Sequence, residues 1–274
     1  MAPRYGWRGC FYALGVIGLV LAPLVLLLKT PPRGAMEEVT AAPAPAPSTS
    51  EIYRSLFATL QRSPALLLTI STAVLLNFST SAGSLNFTWL VRERGMDFSR
   101  TGIVLGLIVA VAGLLGTSGA GGLSDWCHRR WASGRLWFLF FKAFFIFPFA
   151  IGLYTLAIDA PYYLFYVCYS VSTFSLVSWY GPIFATVQDL APVKIRATVV
   201  AFLLFVINII GTGLGPLVAG KIGDAHSLWR GLAICACVGY FALIPLFFAA
   251  RRYQTDAERA RAEDAALTAT PSRA

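Results

Sequence analysis

The sequence from Gly121 to Arg130 reads Gly-Gly-Leu-Ser-Asp-Trp-Cys-His-Arg-Arg and follows a long apolar run. Its glycines allow the end of a helix to pack closely against a neighbour. Asp125 can accept hydrogen bonds from backbone N–H groups or from a nearby arginine, and Arg129 and Arg130 add a pair of positive charges. The stretch is therefore typical of a charged loop that follows an apolar helix.

The chain around this loop is more apolar than a soluble domain. It has 274 residues, of which 57% are hydrophobic and 13% are charged, and its mean hydropathy is +0.67. Soluble domains carry about 25% charged residues. Seven apolar runs are long enough to cross the ~30 Å hydrocarbon core of a bilayer as helices. The runs are Cys10 to Leu28, Pro64 to Leu90, Thr101 to Leu123, Leu136 to Ala157, Tyr162 to Val187, Ala197 to Gly220, and Leu228 to Ala250.

The seven runs are predicted to be helices, because a backbone in lipid must satisfy its own hydrogen bonds. The tripeptide Trp-Arg-Gly begins at Trp7, beside the first run, and recurs at Trp229 in the last run. This spacing predicts a repeat of six helices. The sequence thus predicts an all-α integral membrane protein with seven transmembrane helices, of which six form one bundle and one precedes it.

The lysines and arginines predict how the chain crosses the membrane. If the N-terminus is outside, fourteen of the 22 lysines and arginines lie on the inner side and seven on the outer side. Since cytoplasmic loops carry an excess of positive charge, we predict an outside N-terminus and a cytoplasmic C-terminus, in the plasma (inner) membrane. The same distribution explains the net charge of +9 without nucleic acid as a partner.

Two segments are predicted to lie outside the spans. Pro31 to Ser50 contains Pro-Pro and Ala-Pro repeats, which are typical of a flexible or partly extended cytoplasmic linker. Ser50 could cap a short amphipathic helix from Glu51 to Arg62 that lies along the inner membrane surface. After Arg252, arginine, glutamate and alanine alternate, so the tail could continue the last helix into the cytoplasm.

Three motifs resemble the major facilitator superfamily of transporters. The stretch Gly121 to Arg130 is similar to the family's G-x-L-a-D-r-x-G-R-R loop at the aspartate and the paired arginines, although Trp126 replaces a basic residue and His128 replaces a glycine. The sequence Pro-Val-Lys-Ile-Arg-Ala from Pro192 looks like the start of the family's eleventh helix. The sequence Tyr-Gly-Trp-Arg from Tyr5 looks like its sixth helix.

The order of these motifs implies the sixth to twelfth helices of such a transporter. On this resemblance, residues 1–30 form the last helix of the N-terminal half, 31–62 the linker, 63–252 the C-terminal six-helix bundle, and 253–274 the tail. The sequence from Tyr180 to Gly220 looks most like the spinster-like branch, whose members move lysolipids, sphingoid lipids or other small amphiphiles. The missing N-terminal half would be the partner of the bundle, and the substrate would cross between the halves by alternating access.

The resemblance also implies that charged residues of two loops meet at the inner side. We therefore expect Asp125 to accept hydrogen bonds from neighbouring helix ends or from Arg129. We also expect Asp189 to lie near Arg129 or Arg196. The predicted conformational loop motif comprises Gly121, Asp125, Arg129, Arg130, Asp189 and Arg196.

Polar side chains inside the spans are candidates for the substrate pathway, because they are costly in lipid. Spaced by three or four residues, they form one helix face in the second span and a similar stripe in the fifth. In the family these helices line the central cavity, but contacts between helices would explain the same pattern. The candidates are Asn77, Ser81, Ser84 and Thr88 in the second span, Tyr166, Ser170, Thr173 and Tyr180 in the fifth, and Asn208 alone in the sixth.

Apart from Arg230 at the outer end of the last run, Lys142 is the one formal charge inside a predicted span. An ionisable group in a membrane is a candidate functional residue. A lysine about two turns from the end of its helix can instead extend its ammonium group to the headgroup region, and we favour that interpretation. Because no aspartate or glutamate lies inside a span, proton coupling by a carboxylate would depend on the missing half.

The predicted function is transport of a small or amphiphilic organic solute through the lipid bilayer, by a chain that is a fragment of the transporter. The alternative is a non-transporting membrane protein, either a structural or partner subunit or a truncated gene product. The sequence has no recognisable nucleophile–base pair, metal-ligand cluster or glycine-rich phosphate loop, so neither an enzyme nor a cofactor is predicted.

Overall fold

The computed structural model describes residues 2–27, 48–155 and 162–269. The regular secondary structure within these ranges is helical. By its internal contacts the chain divides into two compact units, Met1–Pro45 and Ala46–Ala274. The predicted all-α class is therefore confirmed.

The first unit contributes one apolar helix. Helix α1 spans Ala2–Leu21 and continues into a six-residue 3₁₀ turn, Ala22–Leu27. Pro23 helps to end the α-helix, because proline cannot donate the backbone hydrogen bond that would continue it. The apolar part, Phe11–Leu24, is shorter than the ~20 residues that cross a bilayer. The predicted span from Cys10 to Leu28 is therefore not confirmed, and Leu28 lies outside the described residues.

The second unit is a bundle of α-helices joined mostly by short turns. Its α-helices are α2 (Thr49–Arg62), α3 (Pro64–Ala82), α4 (Asn86–Arg92), α5 (Phe98–Arg130), α6 (Gly134–Thr155), α7 (Tyr162–Val177), α8 (Tyr180–Leu190), α9 (Arg196–Val206), α10 (Gly213–Ala225), α11 (Leu228–Phe241) and α12 (Leu243–Ala269). Short 3₁₀ turns at Gly83–Leu85 and Val193–Ile195 and a π-helical segment at Ile207–Thr212 complete the described elements.

Five helical stretches of this unit are long and apolar enough to cross a membrane. They are Pro64–Arg92, Phe98–Arg130, Gly134–Tyr154, Val193–Ala225 and Leu228–Ala265. They agree in position with five of the seven predicted spans. The integral membrane class is confirmed, whereas the exact number of seven transmembrane helices is not.

The predicted fifth span, Tyr162 to Val187, is not one continuous helix. A turn at Ser178 and Trp179 separates α7 from α8. Pro182 explains the break, because it cannot bond the carbonyl group of Ser178, four residues earlier, and its ring would clash with that group. The prediction of an uninterrupted helix is therefore wrong for this span.

The predicted sixth span is also irregular. The π-helical segment Ile207–Thr212 lies between α9 and α10. Pro216 follows Thr212 by four residues, so an α-helical hydrogen bond to the Thr212 carbonyl is excluded in the same way. A wider turn accommodates the proline, as single π-helical turns within longer helices commonly do.

Helix α3 is the centre of the bundle and packs against α8, α10, α11 and α12. The buried apolar side chains form two clusters. One cluster includes Leu66 of α3 and Ile183 of α8, and the other includes Trp89 of α4 and Phe165 of α7. On the outside of the bundle, large side chains such as Leu114 of α5 are exposed, as contact with lipid acyl chains requires.

Carboxylates that are distant in sequence satisfy the backbone N–H groups at the starts of two helices. Asp256 of α12 accepts hydrogen bonds from the Ala65 N–H at 2.8 Å and from the Ser63 hydroxyl at 3.2 Å, at the start of α3. Glu93 accepts a bond from the Leu228 N–H at 2.6 Å, at the start of α11. Since the first N–H groups of a helix have no partner within it, these contacts stabilise both helix starts and tie them to other helices.

Helix α2 begins slightly earlier than predicted. The Glu51 N–H donates to the Ser48 hydroxyl oxygen at 3.3 Å, and the Ser48 N–H donates to the Glu51 carboxylate at 3.0 Å. This reciprocal pair is a capping box, so Ser48 rather than Ser50 caps the helix. At the other end of the chain, α12 continues past Arg252, as the alternation of the tail predicted.

Candidate functional site

Polar groups from four helices meet where α5 ends and α6 begins. Arg135, the second residue of α6, donates from Nε to Asp125 Oδ1 at 2.9 Å and from Nη1 to Asp189 Oδ2 at 2.5 Å. The Tyr253 hydroxyl of α12 donates to the same Asp189 oxygen at 3.0 Å. Only 17% of the Arg135 side chain is exposed, so these charge-assisted bonds are partly shielded from water. We call Asp125, Arg135, Asp189 and Tyr253 the Arg135 cluster.

Arg135 makes these contacts, although the sequence analysis did not single it out. The turn before α6 explains why. A Cβ atom on Gly134 would collide with the backbone carbonyl group of Cys127, so only glycine allows α6 to start this close to the end of α5. The next residue along the chain is then held beside Asp125. Sequence reasoning missed Arg135 because it is one of several arginines in one loop and no spacing rule distinguishes it.

The other predicted motif residues lie around the cluster. Arg129 is exposed, and the Arg130 guanidinium lies over the ring of Trp126, 5.1 Å from the ring centroid. Gly121 is half-buried within α5, and Arg196 is half-buried at the start of α9. Their part in a conformational change remains a proposal.

Asn77 of α3 joins the two interrupted spans. Its Nδ2 donates to the hydroxyl of Tyr180, the first residue of α8, at 3.3 Å, and its Oδ1 accepts from the hydroxyl of Thr212, the last residue of the π-helical segment, at 3.1 Å. Ser81, one turn further along α3, donates to the Gly211 carbonyl at 2.8 Å. Only 4% of Asn77 is exposed. We call Asn77, Tyr180 and Thr212 the Asn77 node.

The remaining residues of the two predicted stripes differ in their surroundings. Ser84 is exposed, Thr88 is half-buried, and Thr173 is 5% exposed. The Ser170 hydroxyl donates to the Tyr166 carbonyl, one turn earlier in its own helix, at 2.7 Å. The stripes therefore do not form one uniform surface: Asn77, Ser81 and Tyr180 contact other helices, whereas the Ser170 hydroxyl bonds its own backbone.

Asn208 stands apart from these groups. It is exposed within the π-helical segment, and its Nδ2 donates to the Leu204 carbonyl at 2.8 Å. That acceptor lies one turn earlier on the same span, so this hydrogen bond joins no second helix.

A cavity of about 240 Å³ lies inside the second unit, where its two apolar clusters meet. The predicted residues Ser84 and Thr173 line it, as do Asn86 and Tyr154. The Tyr154 hydroxyl donates to Asn86 Oδ1 at 2.9 Å. We call this space the bundle cavity. It brings together polar residues of the second and fifth predicted spans.

Lys142 also lines the bundle cavity. Its Nζ donates to the Ser175 carbonyl at 3.0 Å and to the Ser178 hydroxyl at 2.6 Å. Both acceptors lie at the break between α7 and α8. The prediction that Lys142 extends to the headgroup region is therefore wrong, because the interrupted span offers hydrogen-bond acceptors inside the bundle.

Long apolar helices, interrupted spans and a charged cluster at one end of the bundle define a polytopic membrane protein. Its sequence matches the family described as Major Facilitator Superfamily over residues 1–211. The chain belongs to this family, which confirms the resemblance noted from its motifs. The family is one of membrane transporters, so it points to transport rather than to an enzyme activity.

The chain is similar to a curated relative and to solved structures, of which two are described below. An "MFS-type efflux pump" of Mycolicibacterium smegmatis (strain ATCC 700084 / mc(2)155) is 29% identical over 266 residues, which are 93% of this chain and 59% of the relative. The chain thus spans about three-fifths of that protein's length.

The two solved structures are of a bacterial homologue of the human lysosomal transporter spinster, inward-facing and either unoccupied or occupied. Both have a TM-score of 0.56 and are similar over 97% of this chain. The unoccupied structure is 19% identical and is covered over 61% of its length, and the occupied structure is 18% identical and is covered over 60%. At this identity the likeness establishes a shared fold, and the predicted spinster-like character is confirmed at that level.

Proposed function

We propose that this chain is the C-terminal part of a transporter that moves a small or amphiphilic organic solute across the plasma membrane by alternating access. Family membership supports transport. The name of the mycobacterial relative, an efflux pump, supports outward movement of the solute. The coverage of about three-fifths of each relative supports the proposal that transport needs further helices besides those of this chain.

The Asn77 node is the observation that carries the proposal. Transporters commonly bind their substrates where membrane helices are interrupted near the middle of the bilayer. Here a helix break before Tyr180 and a π-helical turn ending at Thr212 meet at one buried asparagine. Irregular backbone at membrane depth is tolerated where protein or a water-filled cavity covers it. We infer that the polar stripes of α3, α7 and α8 line the route beside this node.

The Arg135 cluster supports a conformational mechanism. One arginine at the start of α6 ties together the ends of α5 and α8, and Tyr253 of α12 joins the cluster through Asp189. Alternating access requires one end of the route to close while the other opens. A shared, partly buried ion cluster can stabilise one of these two states over the other.

A second candidate function is that of a non-transporting membrane subunit. One observation favours it: the hydrogen bonds of Asn77 are made to groups of this chain, as in a contact that only packs helices together. The two candidates differ in what replacement of Asn77 would do. A packing contact affects the amount of folded protein, whereas a pathway residue affects the rate of transport per folded molecule.

The test is export of a fluorescent lysolipid from proteoliposomes. We expect no saturable export by the purified chain. We expect saturable export when the chain is fused to the portion of the mycobacterial pump that it does not match. Asn77→Ala in the fusion should lower the rate per folded molecule at least tenfold. Saturable export by the chain alone would contradict the need for further helices, and a folded, inserted fusion without export would contradict the transport proposal.

We also propose that the loop between α4 and α5 faces the outside and that the C-terminus faces the cytoplasm. The excess of lysine and arginine on one side supports this orientation. A phosphatase reporter, which is active only outside the cytoplasm, should be active when fused after Gly95 and inactive when fused to the C-terminus. A control with both reporters replaced by a fluorescent protein that folds only in the cytoplasm should give the opposite pattern. Equal activity at the two positions would refute the orientation.

A further inference from the structure

The second unit has a further cavity, which lies between α5 and α6. Its volume is about 630 Å³, and ligand pockets commonly span about 300–1,000 Å³. Its lining is apolar apart from Lys142, whose Nζ is bonded to Ser175 and Ser178 at the break between α7 and α8. Two phenylalanines of the lining, Phe141 and Phe145, are more than half exposed, so the cavity opens on the outside of this unit. We call it the α5–α6 crevice.

The length of the crevice is close to the thickness of one lipid leaflet. Along α5 its lining runs from Gly119 to Trp131, which is about 18 Å at 1.5 Å per residue. One leaflet contributes half of the ~30 Å hydrocarbon core. Trp131, at one end, is 61% exposed, and tryptophan is enriched at the border between acyl chains and headgroups. The crevice therefore fits a single acyl chain that crosses one leaflet.

An exposed arginine lies at the same end of the crevice. Arg130 is the last residue of α5 and stands between the lining residues Cys127 and Trp131. It follows the lining residue Leu123 by seven positions, or two helical turns, so both lie on one face of α5. Its guanidinium stacks on Trp126 and makes no ion pair within the described part of the chain. Trp126 stands where the family's loop has a basic residue, so the family's motif does not include this pairing.

The charges around Arg130 leave it available to an anion. Asp125 and Arg129 lie one turn apart on another face of α5, and the Asp125 carboxylate is already bonded by Arg135 Nε at 2.9 Å. The carbonyl end of a helix carries about half an elementary negative charge, which the full charge of Arg130 exceeds. The apolar crevice thus ends at a positive charge that is free to pair with a ligand.

We propose that the α5–α6 crevice binds one anionic phospholipid of the cytoplasmic leaflet, with an acyl chain along the crevice and the phosphate group at Arg130. On the orientation proposed above, this end of the bundle faces the cytoplasm, where anionic lipids attract basic residues near the membrane. Arg130 favours a lipid over a helix of a second copy of this chain, because the apolar face of a helix offers no anion. The lipid is a resident part of the folded unit and not the transported solute, so the inference goes beyond the proposed function.

The test is native mass spectrometry of the full 274-residue chain in detergent micelles, titrated with phosphatidylglycerol or with phosphatidylcholine of the same acyl chains. We expect one phosphatidylglycerol per chain, bound about fivefold more tightly than phosphatidylcholine, since one basic residue near anionic lipid contributes about that factor. Arg130→Met should bring the two affinities together. Arg129→Met is the matched control, because it removes the neighbouring arginine on the other face of α5, and it should retain the preference.

Two glycines of α5 test the acyl-chain part of the site. Gly119 lines the crevice and Gly122 does not, and a Cβ atom on either would meet nothing within 4 Å. Gly119→Leu should fill part of the crevice and weaken binding of both lipids about fourfold or more, because each buried methylene group contributes about that factor. Gly122→Leu should bind both lipids as the unaltered chain does. Glycerol phosphate, which has the anionic group without acyl chains, should not displace phosphatidylglycerol at equal concentration.

Four results would overturn the proposal. Equal affinity of the unaltered chain for the two lipids would remove the role of charge. Loss of the preference in both Arg130→Met and Arg129→Met would assign it to general attraction at the basic end of the bundle. Displacement by glycerol phosphate would indicate a site for a free anion. A dimer that forms in place of lipid binding and is lost in Gly119→Leu would assign the crevice to a second copy. Transport is tested separately by the fusion protein, so each of these results leaves that proposal standing.

Discussion

Replacing Arg135 with methionine is expected to lower the free energy of unfolding of the purified chain by about 3 kcal/mol. The arginine links Asp125 of α5 to Asp189 of α8, and 17% of its side chain is exposed. Methionine would occupy a similar volume but would leave the Asp189 carboxylate without its cation. Since 35% of Asp189 is exposed, water offsets part of the loss, and the value falls at the lower end of the range for broken buried ion pairs.

The measurement is unfolding in mixed micelles on titration with SDS, followed by tryptophan fluorescence. Arg129→Met is the control, because it removes the same charge from an exposed side chain in the last turn of α5, and it should change stability by about 0.5 kcal/mol or less. Asp189→Asn, added to Arg135→Met, should restore part of the loss by removing the unpaired charge. Equal losses at Arg135 and Arg129 would show that the cluster does not stabilise the bundle.

Replacing Gly215 with alanine is expected to lower the free energy of unfolding by about 3 kcal/mol. Gly215 lies in α10, where it crosses α3. A Cβ atom at this position would collide with the Ser81 hydroxyl and with the backbone carbonyl of Phe78. The serine side chain could rotate away, but the backbone carbonyl can move only with α3. Because α3 is the central helix, a shift there also disturbs its contacts with other helices.

Gly220→Ala in the same helix is the matched control and should act in the opposite direction. A Cβ atom there would meet nothing within 4 Å. Alanine favours a helix interior over glycine by up to about 1 kcal/mol, so this variant should be slightly more stable than the unaltered chain. Both variants are compared in the same SDS titration. A destabilisation of similar size at both positions would mean that helix flexibility, and not the close contact with α3, determines the effect.

The positions of the long spans could be predicted from the sequence because the bilayer imposes one simple requirement. About 20 consecutive apolar residues must form a helix, and a run such as Thr101 to Leu123 satisfies this alone. The structure extends it to Phe98–Arg130 because Asp97 caps its start, accepting a bond from the Arg100 N–H at 2.7 Å. The start of the helix depends on this capping hydrogen bond and on the backbone geometry that allows it. The hydropathy of the sequence gives no information on either.

Interruptions within a span were harder to predict, because the sequence at a break remains apolar. The run from Tyr162 to Val187 contains Pro182, yet prolines are tolerated within many membrane helices. Pro148 lies inside α6 and Pro216 inside α10. Which proline interrupts a helix depends on whether neighbouring helices can satisfy the freed backbone groups. At the break between α7 and α8, the Lys142 side chain, which comes from a different span, bonds the Ser175 carbonyl.

The same dependence on neighbours explains the two charged residues that the sequence analysis misjudged. Lys142 and Arg135 both lie on α6, one turned into the bundle and the other at its start. Their partners, Ser175 and Asp189, are 33 and 54 residues away along the chain. Hydropathy and local spacing describe only the neighbours of a residue in the sequence. The hydrogen-bond partners of Lys142 and Arg135 lie on α7 and α8, which pack against α6 in the folded protein.

The bond between Asp256 and the start of α3 has a consequence for how the protein is made. The two partners, Asp256 and Ala65, are separated by 191 positions, so α3 leaves the ribosome long before this acceptor is made. The Ala65 N–H gains its carboxylate partner only once the polar stretch that follows the last apolar run has been synthesised. A premature stop codon just after Arg252 would spare every apolar run of the bundle. It would nevertheless leave the Ala65 amide, at the start of the central helix, without its acceptor.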